Sequence, residues 1–385
     1  MIKKMAWLFL CAVLVSGCGG GGTDVASGVG SGGTGSYTSG PVTGLGSIIV
    51  NGIRYDVDSA TVNSEDDSSL NNAGLKLGMY VEVRGSDVTP GSAGAVDRAT
   101  ATSVRVASDF IGPAQSTQRD INGNVTSFTV FGRSIGVTSK TVFAGSLADG
   151  QVVAVYGFTS DGTYTATRVE VLGSSSLVYK VTGRVVDWNR GTNRFSFGGR
   201  TFEYTSESNL PSGFGVGAWV RVRALPFSLF QSPIPVLTVS RAANVAQTAG
   251  VARIRGVIGT LTSATQFVVN GVTIDASKIT GLPTLHEGVD RVDIRGKMVD
   301  GVLVATLAHV ESDTEADAQE IELHGRASSV TTNSFVVKGV TVSFTPTSGG
   351  PIADMECIEV KGIHFDTSMQ LIATEVDRNQ TDCNP

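Results

Sequence analysis

An all-β fold repeated in tandem is what this sequence of 385 residues predicts, and three observations predict it. Glycine is abundant (48 residues) and charged side chains are sparse (17%), which suits many short strands joined by turns. The stretch Gln266-Phe267-Val268-Val269-Asn270-Gly271-Val272-Thr273-Ile274-Asp275 alternates apolar and polar side chains around Asn-Gly, the signal of a type I′ hairpin. Variants of that stretch recur roughly every seventy residues along the chain.

The hairpin is the first element to justify. Across its two-residue turn Val269 is expected to face Val272, and Phe267 to face Ile274, on one side of the sheet. Aligning on the turn glycine gives five copies, at Gly52, Gly132, Gly199, Gly271 and Gly339. Four positions earlier stand Ile48, Phe128, Phe195, Phe267 and Phe335; three positions later stand Tyr55, Ile135, Phe202, Ile274 and Val342. The position between is polar throughout (Arg54, Ser134, Thr201, Thr273, Thr341), as a period of two requires.

Upstream of each hairpin a strand ends near glycine, as in Phe110-Ile111-Gly112 and Ile254-Arg255-Gly256. Downstream comes an alternating strand such as Val81-Glu82-Val83-Arg84-Gly85 or Val292-Asp293-Ile294-Arg295-Gly296, with β-branched residues inward and charged residues outward. A last strand follows a turn such as Asp161-Gly162 or Asp300-Gly301 and reads Ala166-Thr167-Arg168-Val169, with parallels at Ala101 and Ala373. Five strands with one apolar face predict small OB-like five-stranded barrels, a two-sheet sandwich being the alternative. The copies span 41–107, 108–174, 178–244, 250–312 and 319–385. Copy 1 carries an insertion before Gly85, and copy 3 has Ala224 where the others have glycine. A domain this size buries only about 60% of its unfolded surface, so copies are expected to lean on neighbours across linkers at 242–249 and 311–317.

The N-terminus reads differently. Lys3 and Lys4 precede a short apolar core, Trp7 to Val15, too short to be a permanent membrane span. It runs into Leu14-Val15-Ser16-Gly17-Cys18, which resembles the lipobox of bacterial lipoproteins. The resemblance implies cleavage of residues 1–17 and lipid attachment at Cys18, with the membrane as partner. Gly19, where inner-membrane lipoproteins often carry Asp, implies the outer membrane. Residues 18–40, rich in Gly, Ser and Thr, read as a disordered tether. The alternative is an ordinary signal peptide with an incidental cysteine. In an oxidising periplasm Cys357 and Cys383 are expected to form a disulfide that ties the C-terminal tail to the fourth strand of copy 5. The alternative leaves Cys357 a buried thiol and Cys383 unpaired.

The repeated signature, x-V-x-G, F-x-V-x-G, G-x-x-V-x-V-x-G and D-G-x-x-x-A-T-x-V, resembles a domain of unknown function found in tandem in bacterial envelope lipoproteins. That resemblance covers everything after the tether and implies a fold without a chemistry. No catalytic residue or cofactor is expected, because no nucleophile elbow, metalloprotease, P-loop or dinucleotide motif occurs. No metal is expected either: His286, His309, His324 and His364 share no ligand spacing. Asp56, Asp58, Glu65, Asp66 and Asp67 cluster in the copy 1 insertion, and Asp120-Ile121-Asn122-Gly123-Asn124 resembles half of a calcium loop. Neither has the closing bidentate glutamate. A net charge of −6 with no basic run excludes nucleic acid. Trp188 and Trp219 in copy 3 are candidates for stacking on a ligand, with filling the core as the alternative. The function expected is a non-enzymatic structural or interaction role in the envelope. A polysaccharide- or peptide-binding module using the barrel faces is the second expectation.

Overall fold

The computed structural model describes residues 35–91, 96–160, 163–172, 178–228, 231–242, 246–312, 320–345, 352–378 and 383. The signal peptide, Cys18, most of the tether, the Asp161-Gly162 turn and 313–317 of the second linker lie outside the described residues.

Barrel 1 comprises β1 (Ser36–Leu45), β2 (Ile48–Val50), β3 (Ile53–Asp56), β4 (Thr61–Ser64), β5 (Tyr80–Gly85) and β6 (Asp97–Val106). Barrel 2 comprises β7 (Phe110–Arg119), β8 (Val125–Val130), β9 (Arg133–Gly136), β10 (Val142–Ala144), β11 (Val152–Ser160) and β12 (Thr163–Val171). In barrel 3 the strands are β13 (Tyr179–Arg184), β14 (Asp187–Asn189), β15 (Arg194–Phe197), β16 (Arg200–Glu203), β17 (Trp219–Ala224) and β18 (Ile234–Arg241). Barrel 4 has β19 (Ala249–Ser263), β20 (Gln266–Val269), β21 (Val272–Asp275), β22 (Arg291–Val299) and β23 (Val302–Glu311). Barrel 5 has β24 (Ile321–Arg326), β25 (Ser334–Val337), β26 (Val340–Ser343), β27 (Cys357–Phe365) and β28 (Leu371–Asp377).

Each circuit closes the same way. In barrel 1, β1 pairs β2, β2 pairs β3, β3 runs parallel to β6, β6 pairs β5, and β5 returns to β1. Barrels 2 and 4 repeat the circuit. In barrel 3 the first strand is broken into β13 and β14, and in barrel 5 the Ser328–Val336 bridge completes the ring. Closure leaves each small sheet only short edge segments to pair elsewhere.

The hairpin expectations hold in register: Phe267 pairs Ile274 and Val269 pairs Val272, all buried. All five turns carry two successive positive φ values, at Asn51-Gly52, Phe131-Gly132, Gly198-Gly199, Asn270-Gly271 and Lys338-Gly339, which is type I′ geometry. The other motif residues follow from closure. Where the fourth strand bends to meet the first, its register against the last strand slips at Gly85, Gly157, Gly296 and Gly362. A β-carbon there would stand 2.1–2.6 Å from a carbonyl oxygen of the last strand. Ala224 occupies the same bulge in barrel 3. Opposite it, the small alanine of the Ala-Thr pair is buried (Ala101, Ala166, Ala305). The threonine hydroxyl donates to the carbonyl just before the bulge, as in Thr102 to Arg84, Thr306 to Arg295 and Thr374 to Lys361.

Two expectations need correction. Residues 36–40, assigned to the tether, form the first half of β1 and are buried. Tyr37 packs in the core of barrel 4, and Thr38 Oγ1 donates to the Arg253 carbonyl at 2.7 Å. A run of small polar residues hides a strand when its stabilisation comes from backbone pairing rather than from apolar periodicity. The barrels also do not associate only in sequence order. β1 runs parallel to β19 of barrel 4 at one end and to β24 of barrel 5 at the other, so barrels 1, 4 and 5 share one sheet. Barrels 2 and 3 share the second, joined where β7 pairs β13.

Candidate functional site

Barrel 3 places its two tryptophans apart in role. Trp219, half-buried at the start of β17, lines a cavity described below. Trp188 does not reach it: its Nε1 donates to Tyr204 Oη at 3.0 Å, its ring meets Phe214 edge-on, and the Arg190 guanidinium lies 4.2 Å above it. Trp188 is thus a partner of the barrel 3 core. Cys357 and Cys383 are joined in a disulfide with Cα atoms 5.6 Å apart. His324 Nε2 stands 3.8 and 4.0 Å from the two sulfurs. Sulfurs bonded to each other are not the thiolates a soft metal takes, so this trio is no metal centre as it stands.

The acidic insertion of barrel 1 is a plug. Lys180 on β13 is completely buried, and its ammonium donates to Asp66 and lies 3.9 Å from Glu65. Arg221 on β17 pairs with Asp109 at 3.2 Å and approaches Glu65 at 3.6 Å, while Arg223 donates to the Glu65 carbonyl at 3.0 Å. From barrel 1 itself Arg105 bonds both Glu65 and Glu82. Burial would raise the Asp66 carboxyl, but the Lys180 ammonium and the Ser108 donors outweigh it, and the group sits below the usual carboxylate range. Burial pulls the Lys180 ammonium below its ordinary value against the attraction of Asp66. It would lower the Arg221 guanidinium too, but Asp109, Glu65 and Glu82 carry that group above its ordinary value. Carboxylates already engaged by three cations are poor calcium ligands. At the other suspected calcium loop, the Asp120 carboxylate accepts from the backbone of Asn122 and Asn124 and from the Asn124 side chain, which is turn chemistry.

Sequence reasoning missed the cavity, because four barrels build it. Its volume is about 330 Å³, within the usual range for small-molecule sites. Barrel 2 contributes Phe131 and Phe158, barrel 3 contributes Phe197 and Trp219, and barrel 4 contributes Val257 and Val268. Barrel 1 contributes Tyr80, Glu82 and Arg105. On the buried polar side Tyr164 Oη donates to Asp109 at 2.8 Å, Arg221 holds the other Asp109 oxygen, and Arg105 holds Glu82 at 3.0 Å. Burial, reinforced by Asp109, pushes the Tyr164 phenol well above its ordinary value, so it stays protonated. The more open side carries Arg133, Arg184 and Arg200. Gly198 presents bare backbone there, where a β-carbon would meet nothing within 4 Å. Such a chamber can hold an apolar body and meet a polar end with guanidinium donors. The signal available in the sequence was the charge inside the strands of copy 3, Lys180 and Arg221, which reads as outward-facing until neighbouring barrels are in place.

Three segments, residues 39–92, 117–170 and 324–377, match a protein family described as a domain of unknown function (DUF5666). The matched segments fall in barrels 1, 2 and 5, while barrels 3 and 4 lie outside them. No curated protein and no solved structure matches the chain.

Proposed function

We propose that this chain is a non-enzymatic, lipid-anchored envelope protein whose five barrels are copies of one OB-like domain, and that it captures a small ligand in the cavity between them. The observation that carries the reading is the cavity itself. Four separate barrels converge on one chamber with aromatic walls and self-neutralised buried charge, and evenly repeated copies alone would not make it. The anchor reading rests on the lipobox-like Leu14-Val15-Ser16-Gly17-Cys18, and the location is the outer membrane.

The experiment is recovery of the acylated protein from gently solubilised envelopes, followed by mass spectrometry of small molecules released on denaturation. A compound present with the natural chain and absent with Trp219→Ala supports the reading, whereas identical extracts overturn it. Labelling with radioactive palmitate, lost in Cys18→Ser, tests the anchor separately. A scaffold role is the second reading. It is favoured by Val186 and Val216, both exposed, which flank the backbone hydrogen bonds that Val185 makes with Gly217 and Ala218. Two apolar side chains in solvent at one spot suit contact with another protein of the envelope or with its polysaccharide.

A further inference from the structure

We propose that the ligand of the four-barrel cavity is a single-chain anionic amphiphile, one apolar chain ending in a carboxylate or a phosphate; this rests on the ligand-binding reading above. The argument is a balance of charge over the lining. Its two carboxylates, Glu82 and Asp109, are each engaged by a guanidinium, Arg105 and Arg221. No further carboxylate lines the chamber among the described residues. Arg133 makes no ion pair among the described residues, and Arg184 reaches only the Gly217 carbonyl at 3.4 Å. The Thr182 hydroxyl, on the strand between Lys180 and Arg184, is buried without a hydrogen-bond partner. Two cations without an anion at the open side of the chamber mark where negative charge is missing. A guanidinium fork matches carboxylate and phosphate oxygens in the same bidentate way.

The rest of the lining fixes the other end of the ligand. Phe131, Phe158, Phe197 and Trp219 offer apolar surface. The carboxylate acceptors best suited to reading sugar hydroxyls, Asp109 and Glu82, already accept from Arg221, Tyr164 and Arg105. A neutral sugar would therefore find few strong acceptors for the several hydroxyls it buries, which is costly. An apolar chain meets no such penalty.

The test uses the full chain in zwitterionic nanodiscs, with empty nanodiscs subtracted, titrated calorimetrically with four probes. These are dodecanoate, dodecyl phosphate, uncharged dodecyl maltoside with the same chain, and maltohexaose. Saturable binding of one or both anions, about tenfold or more tighter than dodecyl maltoside, is the expected result. The Arg133→Gln/Arg184→Gln double variant should then lose about tenfold for the anions and nothing for the maltoside. A preference for dodecanoate over dodecyl phosphate would point to free fatty acids, and the reverse to phosphorylated lipids. Tighter binding of dodecyl maltoside or maltohexaose, or anion binding indifferent to the double variant, overturns the proposal and leaves the cavity a binding site of another kind. Failure of all four probes, with unchanged near-ultraviolet circular dichroism confirming the fold, overturns both readings.

Discussion

Barrel 1 is held to its neighbours in two contrasting ways. Toward barrels 4 and 5 it lends mainly backbone: β1 runs parallel to β19 through Ser36–Ser39 and to β24 through Gly44 and Leu45, where one ion pair, Arg54 with Glu322, is added. Asn51, the first residue of the hairpin turn, reinforces the first of these by donating to Thr38 Oγ1 and the Ser39 carbonyl, both at 2.9 Å. Toward barrel 3 it lends charge, Glu65 and Asp66 against Lys180, Arg221 and Arg223. Backbone pairing tolerates almost any side chain, whereas a buried ion pair is specific and fails badly when one partner is lost. The difference teaches where the assembly is robust and where single residues decide it.

The largest expected effect breaks the charged junction. Lys180→Met leaves Asp66 buried without its cation, which costs about 3–5 kcal/mol when a buried pair is broken on one side. The double variant Lys180→Met/Asp66→Asn should recover much of that loss, and urea denaturation of the three chains measures both. If the double variant were as unstable as the single one, packing rather than charge would be holding barrel 3. Next comes the backbone junction. Tyr37→Ala empties an aromatic site in the barrel 4 core and should cost about 3 kcal/mol. Tyr37→Phe should cost nothing or stabilise slightly, because the Tyr37 hydroxyl is buried without a partner.

Acid should separate the junctions by sign. Asp66 is held below its ordinary value of 3.8, so its contribution is intact above that pH and is lost as pH falls through the depressed value. At the barrel 5 junction Glu322 lies above its ordinary value, because burial, together with Glu359, outweighs the neighbouring Arg54. A raised carboxyl binds its proton more readily folded than unfolded, so that junction firms as pH drops toward 4.5 and loses the gain as pH rises through the raised value. Amide exchange measured down a pH series should therefore show the Lys180 and Val181 amides losing protection in strong acid while those of Leu323 do not. Parallel loss at both places would contradict the assignment.

How much of this was legible follows the same division. The hairpin register, the type I′ turns and the order of elements are written in side-chain periodicity, since each barrel must bury one face of every strand. Nothing comparable announces β1 between residues 36 and 40, because Ser36, Thr38 and Ser39 are stabilised by backbone partners in β5 and, more than two hundred residues downstream, in barrel 4. The acidic insertion was visible as a cluster, but its partners Lys180 and Arg221 sit in strands whose alternation marks them as solvent-facing. Only the neighbouring barrel turns that outer face into an interior. Asp293, buried and paired with Arg253 at 2.6 Å, repeats the lesson in barrel 4. Trp219 was legible as a ligand candidate, whereas the chamber it lines needed four barrels at once.

The smallest expected effect concerns the junction of barrel 2 with barrel 1. In barrels 1, 4 and 5 the threonine of the Ala-Thr pair bonds within its own barrel, but Thr167 of barrel 2 turns outward and donates to the Gly78 carbonyl of barrel 1 at 2.6 Å. Arg168 beside it donates to the Leu77 carbonyl at 3.1 Å. A motif residue that elsewhere secures closure has here been given to docking. Thr167→Val and Thr374→Val should therefore each cost about 1 kcal/mol, the usual worth of one hydrogen bond, but in different places. Thr374→Val should loosen the exchange of Lys361 within barrel 5, and Thr167→Val should loosen Gly78 while leaving the β11–β12 pairing of barrel 2 protected. If Thr167→Val instead opened β11–β12, its hydroxyl would be serving closure as in barrels 1, 4 and 5, and the docking of barrel 2 on barrel 1 would rest on Arg168 and the apolar residues packed between them.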